Sequence, residues 1–148
     1  MNIALAADHA GYQLKDELAA WLREAGHQVL DLGTNGPDSV DYPHFGRRLA
    51  DAVASGEAER GVVVCGSGIG ISIAVNRNPA CRCARVDDPL SAALAREHND
   101  ANVLALGARL VGQDMAKACV QAFLGTQFAG GRHQRRVDQL STILQESD

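Results

Sequence analysis

Five consecutive residues, Gly66-Ser67-Gly68-Ile69-Gly70, carry the densest chemical signal in the chain. They follow the apolar run Gly61 to Cys65 and precede a short helical pattern from Ile71 to Asn76. Three glycines in five positions allow positive φ and leave backbone N–H groups uncovered. Ahead of a helix, such amides favour an anion. A tight turn that needs glycine only for steric reasons is the competing explanation. Cys65 abuts this turn, and thiols beside amide donors and helix N-termini ionise more readily than free ones. Proton abstraction next to a carbonyl needs a base and donors for the oxyanion that results. Cys65 and its turn could supply both. A nucleophilic role has less support, because no Gly-x-Ser/Cys-x-Gly elbow frames Cys65. The plain alternative is a small buried hydrophobe, which most free cysteines are.

Other groups able to do chemistry lie apart in the sequence. Asp8-His9 follows an apolar run, where a carboxylate and an imidazole could share a proton or orient a hydroxyl. A helix N-cap role for Asp8 competes. His98 ends a helical pattern in His98-Asn99-Asp100, where a capping or dipole role is the usual one. Arg132-His133-Gln134-Arg135-Arg136 is a basic cluster in an acidic chain of net charge −4. Arg132 and Arg136 are four apart, so a helix would put both guanidinium forks on one face, as suits a phosphate dianion. A solvated helix face is equally consistent. The acidic balance and the lack of interleaved aromatics argue against nucleic acid and a general membrane surface. A dinucleotide fingerprint is incomplete: Gly66-x-Gly68 begins it and Asp87 and Asp88 lie at a ribose-binding distance, but Ile71 stands at the third position. A P-loop fails outright, since no Gly-Lys-Ser/Thr follows.

The elements that must position these groups alternate. Strands are expected at Asn2 to Ala7, His27 to Leu32, Gly61 to Cys65, Arg82 to Val86 and Ala101 to Leu106. Helices are expected at Tyr12 to Ala25, Pro43 to Ala54, Ile71 to Asn76, Pro89 to His98, Gly112 to Leu124 and Gln134 to Gln145. Val62-Val63-Val64 has no polar alternation, which implies burial on both faces of a parallel sheet. The pattern specifies an α/β fold, a three-layer α/β/α Rossmann-like sandwich with a five-stranded parallel sheet. Ligands then sit at the carboxyl ends of strands. Asp8-His9, Cys65 to Gly70, Asp87-Asp88 and Gly107 to Arg109 all occupy such positions.

At 148 residues and 46% hydrophobic, the chain suits one domain over 1–148, with a C-terminal helix from about 133. Cys65, Cys81, Cys83 and Cys119 match no zinc or redox spacing, so no metal is expected and reduced thiols point to the cytoplasm. Cys81-x-Cys83 reads as one face of a strand. Met1 to Ala7 is interrupted by Asp8 and His9 and reads as a buried strand rather than a signal peptide. No apolar run reaches the roughly 18 residues of a membrane helix.

Six stretches together closely resemble the ribose-5-phosphate isomerase B family of sugar-phosphate isomerases. They are Ala7-Asp8-His9-Ala10-Gly11, Asp41-Tyr42-Pro43-His44, Val64 to Ser72, Arg96 to Val103, Gly107-Ala108-Arg109, and Gly130-Gly131-Arg132-His133-Gln134-x-Arg136-Val137. The resemblance implies reversible isomerisation of D-ribose 5-phosphate and D-ribulose 5-phosphate, without metal or cofactor. It implies that Cys65 moves the proton between C1 and C2 through a cis-enediolate. The amides of Gly66, Ser67, Gly68, Ile69 and Gly70, with the Ser67 hydroxyl, would hold the enediolate oxygen. His98, helped by Asp8, would open the furanose ring. His9, Arg132 and Arg136 would take the phosphate, Asn99 would contact sugar oxygens, and Arg109 would complete the site.

In another branch of the family a glutamate after the glycine turn is the base, and Ile71 cannot replace it. Departures at Leu90, Ala93, Cys81 and Cys83 touch packing and the room for a longer sugar. A six-carbon phosphosugar is therefore the alternative substrate, and a non-enzymatic nucleotide-binding module the more distant one. The resemblance further implies an active homodimer or tetramer with sites at the dimer interface.

Overall fold

The computed structural model describes residues 1–141. The chain runs β1 (Asn2–Ala7), α1 (Tyr12–Glu24), β2 (Gln28–Asp31), α2 (Tyr42–Ala54), β3 (Arg60–Cys65) and α3 (Ile69–Val75). It continues β4 (Cys83–Arg85), α4 (Pro89–Asn99), β5 (Val103–Gly107), α5 (Gln113–Gly125) and α6 (Arg132–Ser141). The five strands are parallel in the order β2-β1-β3-β5-β4, as the unbroken apolar runs require.

Strand alternation sorts the core into two halves. Ile3, Leu5, Val62, Val64, Leu104 and Leu106 face Leu14, Leu18 and Leu22 of α1, Ala92 of α4, and Val120 and Phe123 of α5. Ala4, Ala6, Val63, Cys65, Val103 and Ala105 face Phe45 and Leu49 of α2, and Ile71 and Val75 of α3. Helices therefore cover both faces, giving the expected α/β/α sandwich. Small residues set the layer spacing: a Cβ at Gly11 would lie 2.5 Å from the Val64 carbonyl oxygen. Only glycine lets the start of α1 approach β3 so closely.

Boundaries shift where local hydrogen bonding outweighs hydropathy. β4 is only three residues, so Cys81 lies outside it. Asn76 accounts for this: its side-chain amide donates to the Cys83 carbonyl at 3.0 Å and accepts the Cys83 N–H at 2.8 Å, fixing where pairing begins. Cys81 is buried and Cys83 packs against the same half of the core, so their shared side is as expected although they do not share a strand. α3 starts at Ile69, two residues before the apolar pattern, directly after Gly68 in the left-handed region at φ +76°. α6 starts at Arg132, after Gly130 and Gly131, both with positive φ. The part of the expected terminal helix beyond Ser141 lies outside the described residues. No helix among the described residues is long and apolar enough to cross a membrane.

Candidate active site

The C-terminal ends of β1, β3 and β5 lie side by side, with Ala7 paired to Val64 and Cys65 paired to Gly107. Residues that follow these strands therefore converge. Asp8, Tyr42, Cys65, Gly66, Ser67, Arg109 and Leu110 line a cleft of about 290 Å³ there. Cys65 is 4% exposed and Asp8 7%, so each is buried at the floor of this cleft.

Hydrogen bonds within the loops fix both groups. The Gly68 N–H donates to Cys65 Sγ at 3.1 Å. Asp8 Oδ1 accepts the N–H groups of Ala10 at 2.9 Å and Gly11 at 3.2 Å. Asp8 thus closes a turn ahead of α1, whose N-cap is Gly11, and its second oxygen is not used in that turn. Two of the five amides expected to face an anion have partners inside the loop: Gly68 donates to Cys65, and Ile69 donates to Ser67 Oγ at 3.2 Å. Gly68 is buried, and a Cβ there would lie 2.8 Å from the Leu106 carbonyl carbon. The Arg109 side chain lies over Gly66, with Nη1 3.2 Å from where a Cβ would stand.

The Val40 N–H donates to His9 Nδ1 at 3.2 Å. The donor tautomer this enforces presents its N–H at Nε2. Tyr42, at the start of α2, packs its ring against Gly70, where a Cβ would lie 2.6 Å from ring carbon Cζ. Tyr42 and Leu110 line the cleft without having been assigned a role from sequence. Pro43, a first-turn proline signal, already marked Tyr42 as a loop-to-helix junction after β2.

His98, Asn99, Arg132 and Arg136 form a second group elsewhere. The His98 ring stacks on His133, with centroids 4.4 Å apart and planes 14° apart. Desolvation pulls the His133 imidazole below its ordinary pKa, and the neighbouring His98, Arg132 and Arg136 add to this against the pull of Glu97. His98 stands in the last turn of α4, which Asp100 ends at φ +47°. The chain then enters β5 at Val103, so His98 lies at the N-terminal edge of the sheet. Cys65 is level with Gly107, four residues further along β5, which is about 13 Å. Asn99 accordingly lines a separate groove with Arg82 and Cys83 at the start of β4. Within one chain, then, Cys65, Asp8, Ser67 and Arg109 come together, while His98, Asn99, Arg132 and Arg136 gather at the opposite end.

The other cysteines are packing groups. Burial raises the Cys81 thiol, pushes Cys83 far above the usual thiol range, and pushes Cys119 up to about 11. Cys81 and Cys119 lie within the core, and Cys83 packs against it. Asp87 and Asp88 also have local tasks: Asp87 pairs with Arg85 at 2.7 Å, and Asp88 caps α4 by accepting the Ser91 N–H at 2.7 Å. The Ser91 N–H, with the Ser91 hydroxyl donating to Asp88 Oδ2 at 2.8 Å, holds the Asp88 carboxyl below its ordinary pKa. Neither observation calls for a ribose. Among the described residues, no three His, Cys, Asp or Glu side chains cluster so as to hold a metal ion.

Comparison with known proteins places this geometry in context. Residues 3–140 match the family described as Ribose/Galactose Isomerase. The chain is 48% identical over 144 residues to ribose-5-phosphate isomerase B of Escherichia coli, covering 97% of each chain. A ribose-5-P isomerase B from Listeria innocua is 35% identical over 147 residues, covering 99% of each. Among solved structures, ribose-5-phosphate isomerase B of Clostridium thermocellum superposes with a TM-score of 0.94 at 50% identity, covering 95% of each chain. The Mycoplasma genitalium enzyme, solved with bound ribulose-5-phosphate, superposes with a TM-score of 0.91 at 39% identity, covering 95% of this chain and 93% of that one. A match over nearly the whole length, in sequence and in fold, establishes that the chain belongs to the ribose/galactose isomerase family.

Proposed function

We propose that the protein is an aldose–ketose isomerase that interconverts D-ribose 5-phosphate and D-ribulose 5-phosphate, with Cys65 as the base. The observation that carries this reading is the buried Cys65 Sγ, which accepts the Gly68 N–H and opens on a small cleft beside Asp8, Ser67 and Arg109. A bound ribulose-5-phosphate in a relative of the same fold supports the phosphosugar.

The chemistry follows from these positions. The Cys65 thiolate takes the C2 proton of the open-chain aldose, leaving a cis-enediolate whose charge rests on the C1 oxygen. With the O2 hydroxyl proton passed to the C1 oxygen, the charge moves to the C2 oxygen, and returning the carbon-bound proton to C1 gives the ketose, so one base serves both directions. The Ser67 hydroxyl and the amides of Gly66, Ser67 and Gly70, in the turn that follows Cys65, would hold the enediolate oxygen. The Gly68 N–H acts on the other partner: it stabilises the sulfur anion. Asp8 faces the substrate hydroxyls, Nε2 of His9 donates to the phosphate, and Arg109 supplies positive charge at the cleft mouth.

The two remaining roles need a second copy. His98 would open the ring and Asn99 would bind sugar oxygens, while Arg132 and Arg136 would clamp the phosphate, yet all four stand a sheet-height away from Cys65. A homodimer that seats the α4–α6 end of one protomer on the cleft of its partner completes both sites. Exposed Ile69, Leu90 and Leu110, all at the cleft end of the sheet, suit such a cover. One isomerase domain over 1–148, working in the cytoplasm where its free thiols stay reduced, fits this reading.

The test is ribulose 5-phosphate formation by the purified protein and by Cys65→Ala and Cys65→Ser. Both variants are expected to bind substrate but to lose turnover by roughly 100-fold or more, as general-base removal does. Near-parental turnover in Cys65→Ala refutes the base assignment.

A further inference from the structure

Ser67 and Gly68 share one peptide group, and its two ends are engaged by different partners. Its N–H, on Gly68, donates to Cys65 Sγ at 3.1 Å. Its carbonyl, on Ser67, accepts Arg85 Nε–H at 2.9 Å. Arg85 ends β4, the edge strand, with β5 lying between it and β3. The Ser67 carbonyl must therefore pass over the end of β5 to reach it. Gly107 makes that crossing possible, because a Cβ there would lie 2.6 Å from the Ser67 oxygen. The guanidinium is itself oriented from its far side, where Nη1 donates to Asp87 Oδ2 at 2.7 Å. The contact is a chain of three hydrogen bonds, Asp87 to Arg85 to the Ser67–Gly68 peptide to Cys65.

We propose that Arg85 is a positioning residue for Cys65: it holds and polarises the Ser67–Gly68 peptide so that the Gly68 N–H stabilises the Cys65 thiolate. A cation on the carbonyl oxygen draws electron density through the amide and makes its N–H a stronger donor, as linked hydrogen bonds do. It also prevents the peptide from turning over, which would present a carbonyl oxygen to the sulfur. Arg85 does not touch the cleft, and it acts only through this amide. Its consequence for turnover rests on Cys65 being the base, whereas its effect on the thiol does not. The other charged or titratable groups around the sulfur are Asp8 after β1, Tyr42 on α2 and Arg109 after β5, and none of them bonds this peptide's carbonyl.

The experiment compares the rate at which iodoacetamide alkylates Cys65 at pH 7, read by peptide mass spectrometry, in the parent, Arg85→Met and Arg85→Lys. Arg85→Met is expected to slow alkylation about three- to tenfold, the size of one charge-assisted hydrogen bond less its neutral counterpart. It should lower kcat by a similar factor and leave KM within about twofold. Arg85→Lys, which keeps the charge but not the fork, should recover part of both losses. Arg85 sits on an edge strand with its side chain 25% exposed, so the fold should tolerate the change. Arg85→Gln, with an uncharged donor, gives the same comparison should Arg85→Met fail to fold. Alkylation within about twofold of the parent in a folded variant would overturn the proposal. The base assignment is separated by Cys65→Ala: if that variant keeps its turnover, Cys65 is not the base, and the alkylation comparison still decides whether Arg85 controls the thiol.

Discussion

At Gly68 two demands meet in one residue. Its φ of +76° lies in the left-handed region, and a Cβ would lie 2.8 Å from the Leu106 carbonyl carbon and 3.0 Å from its oxygen. Backbone atoms cannot give way as a flexible side chain does. Gly68→Ala should therefore cost about 2–4 kcal/mol, the sum of a left-handed penalty and a steric one. Urea unfolding measures this as a lower midpoint at constant slope. Gly36→Ala is the control: nothing lies within 4 Å of a Cβ there and its φ is not in the left-handed region, so stability should stay within about 0.5 kcal/mol of the parent. The glycine spacing disclosed a bare-amide turn after a strand, and that much was readable in sequence. Which amide faces the sulfur was not, because it depends on the contact with Leu106 and on Arg85, residues 38 and 17 positions further on. Arg85 carried no functional signal in sequence: it lies in the expected strand Arg82 to Val86, and nothing there marks it as a partner of the glycine turn.

Elements were legible wherever a single pattern governed them, the helical period in α1 and the unbroken apolar run in β3, and less so where a side chain of another element set the limit. Lys15 shows why. Its place in the pattern of α1 reads as a polar position, yet the side chain is fully buried. Its ammonium donates to Asp31 Oδ1 at 2.8 Å and Oδ2 at 2.9 Å, to Asp16 Oδ1 at 2.7 Å and to Asn35 Oδ1 at 3.0 Å. Asp31 in turn accepts the Gly33 N–H at 2.9 Å, and Gly33 and Thr34 bond both sides of Ala7. The ammonium thus ties α1 and the loop after β2 to the end of β1, where Asp8 begins the turn at the candidate site. Lys15→Met leaves Asp31 with one donor and partial access to water. The expected loss is about 2–3 kcal/mol, at or below the low end of the range for breaking a buried pair, because Asp31 keeps 24% of its side-chain surface exposed. Lys15→Met combined with Asp31→Asn should regain part of that loss, since no unpaired charge remains. Equal urea midpoints for the single and double variants would show that the stranded carboxylate is not the cause.

At the scale of the whole molecule, the strand-end rule that located Cys65 also sets it apart from His98 and Asn99. Residues after β1, β3 and β5 share one end of the sheet because parallel strands all finish there. A helix that follows a strand must run back, so the last turn of α4, with His98 and Asn99, is carried to the other end, and α6 packs beside it. Sequence order alone could not separate these groups, since both resemble parts of one site. The separation makes a quantitative prediction for a homodimer in which each site takes Cys65 from one protomer and His98 from the other. Cys65→Ala and His98→Ala homodimers should each be nearly inactive. When the two are co-expressed in equal amounts, half of the dimers are mixed. Each mixed dimer then carries one site with both substitutions and one with neither. Activity should return to about a quarter of the parent's on a per-chain basis, as isologous two-fold symmetry requires. Tagging the two chains differently and isolating the mixed dimer should raise this to about half, without any change in KM. If each site instead drew both residues from one protomer, every site in every mixture would lack one of them, and mixing would restore nothing.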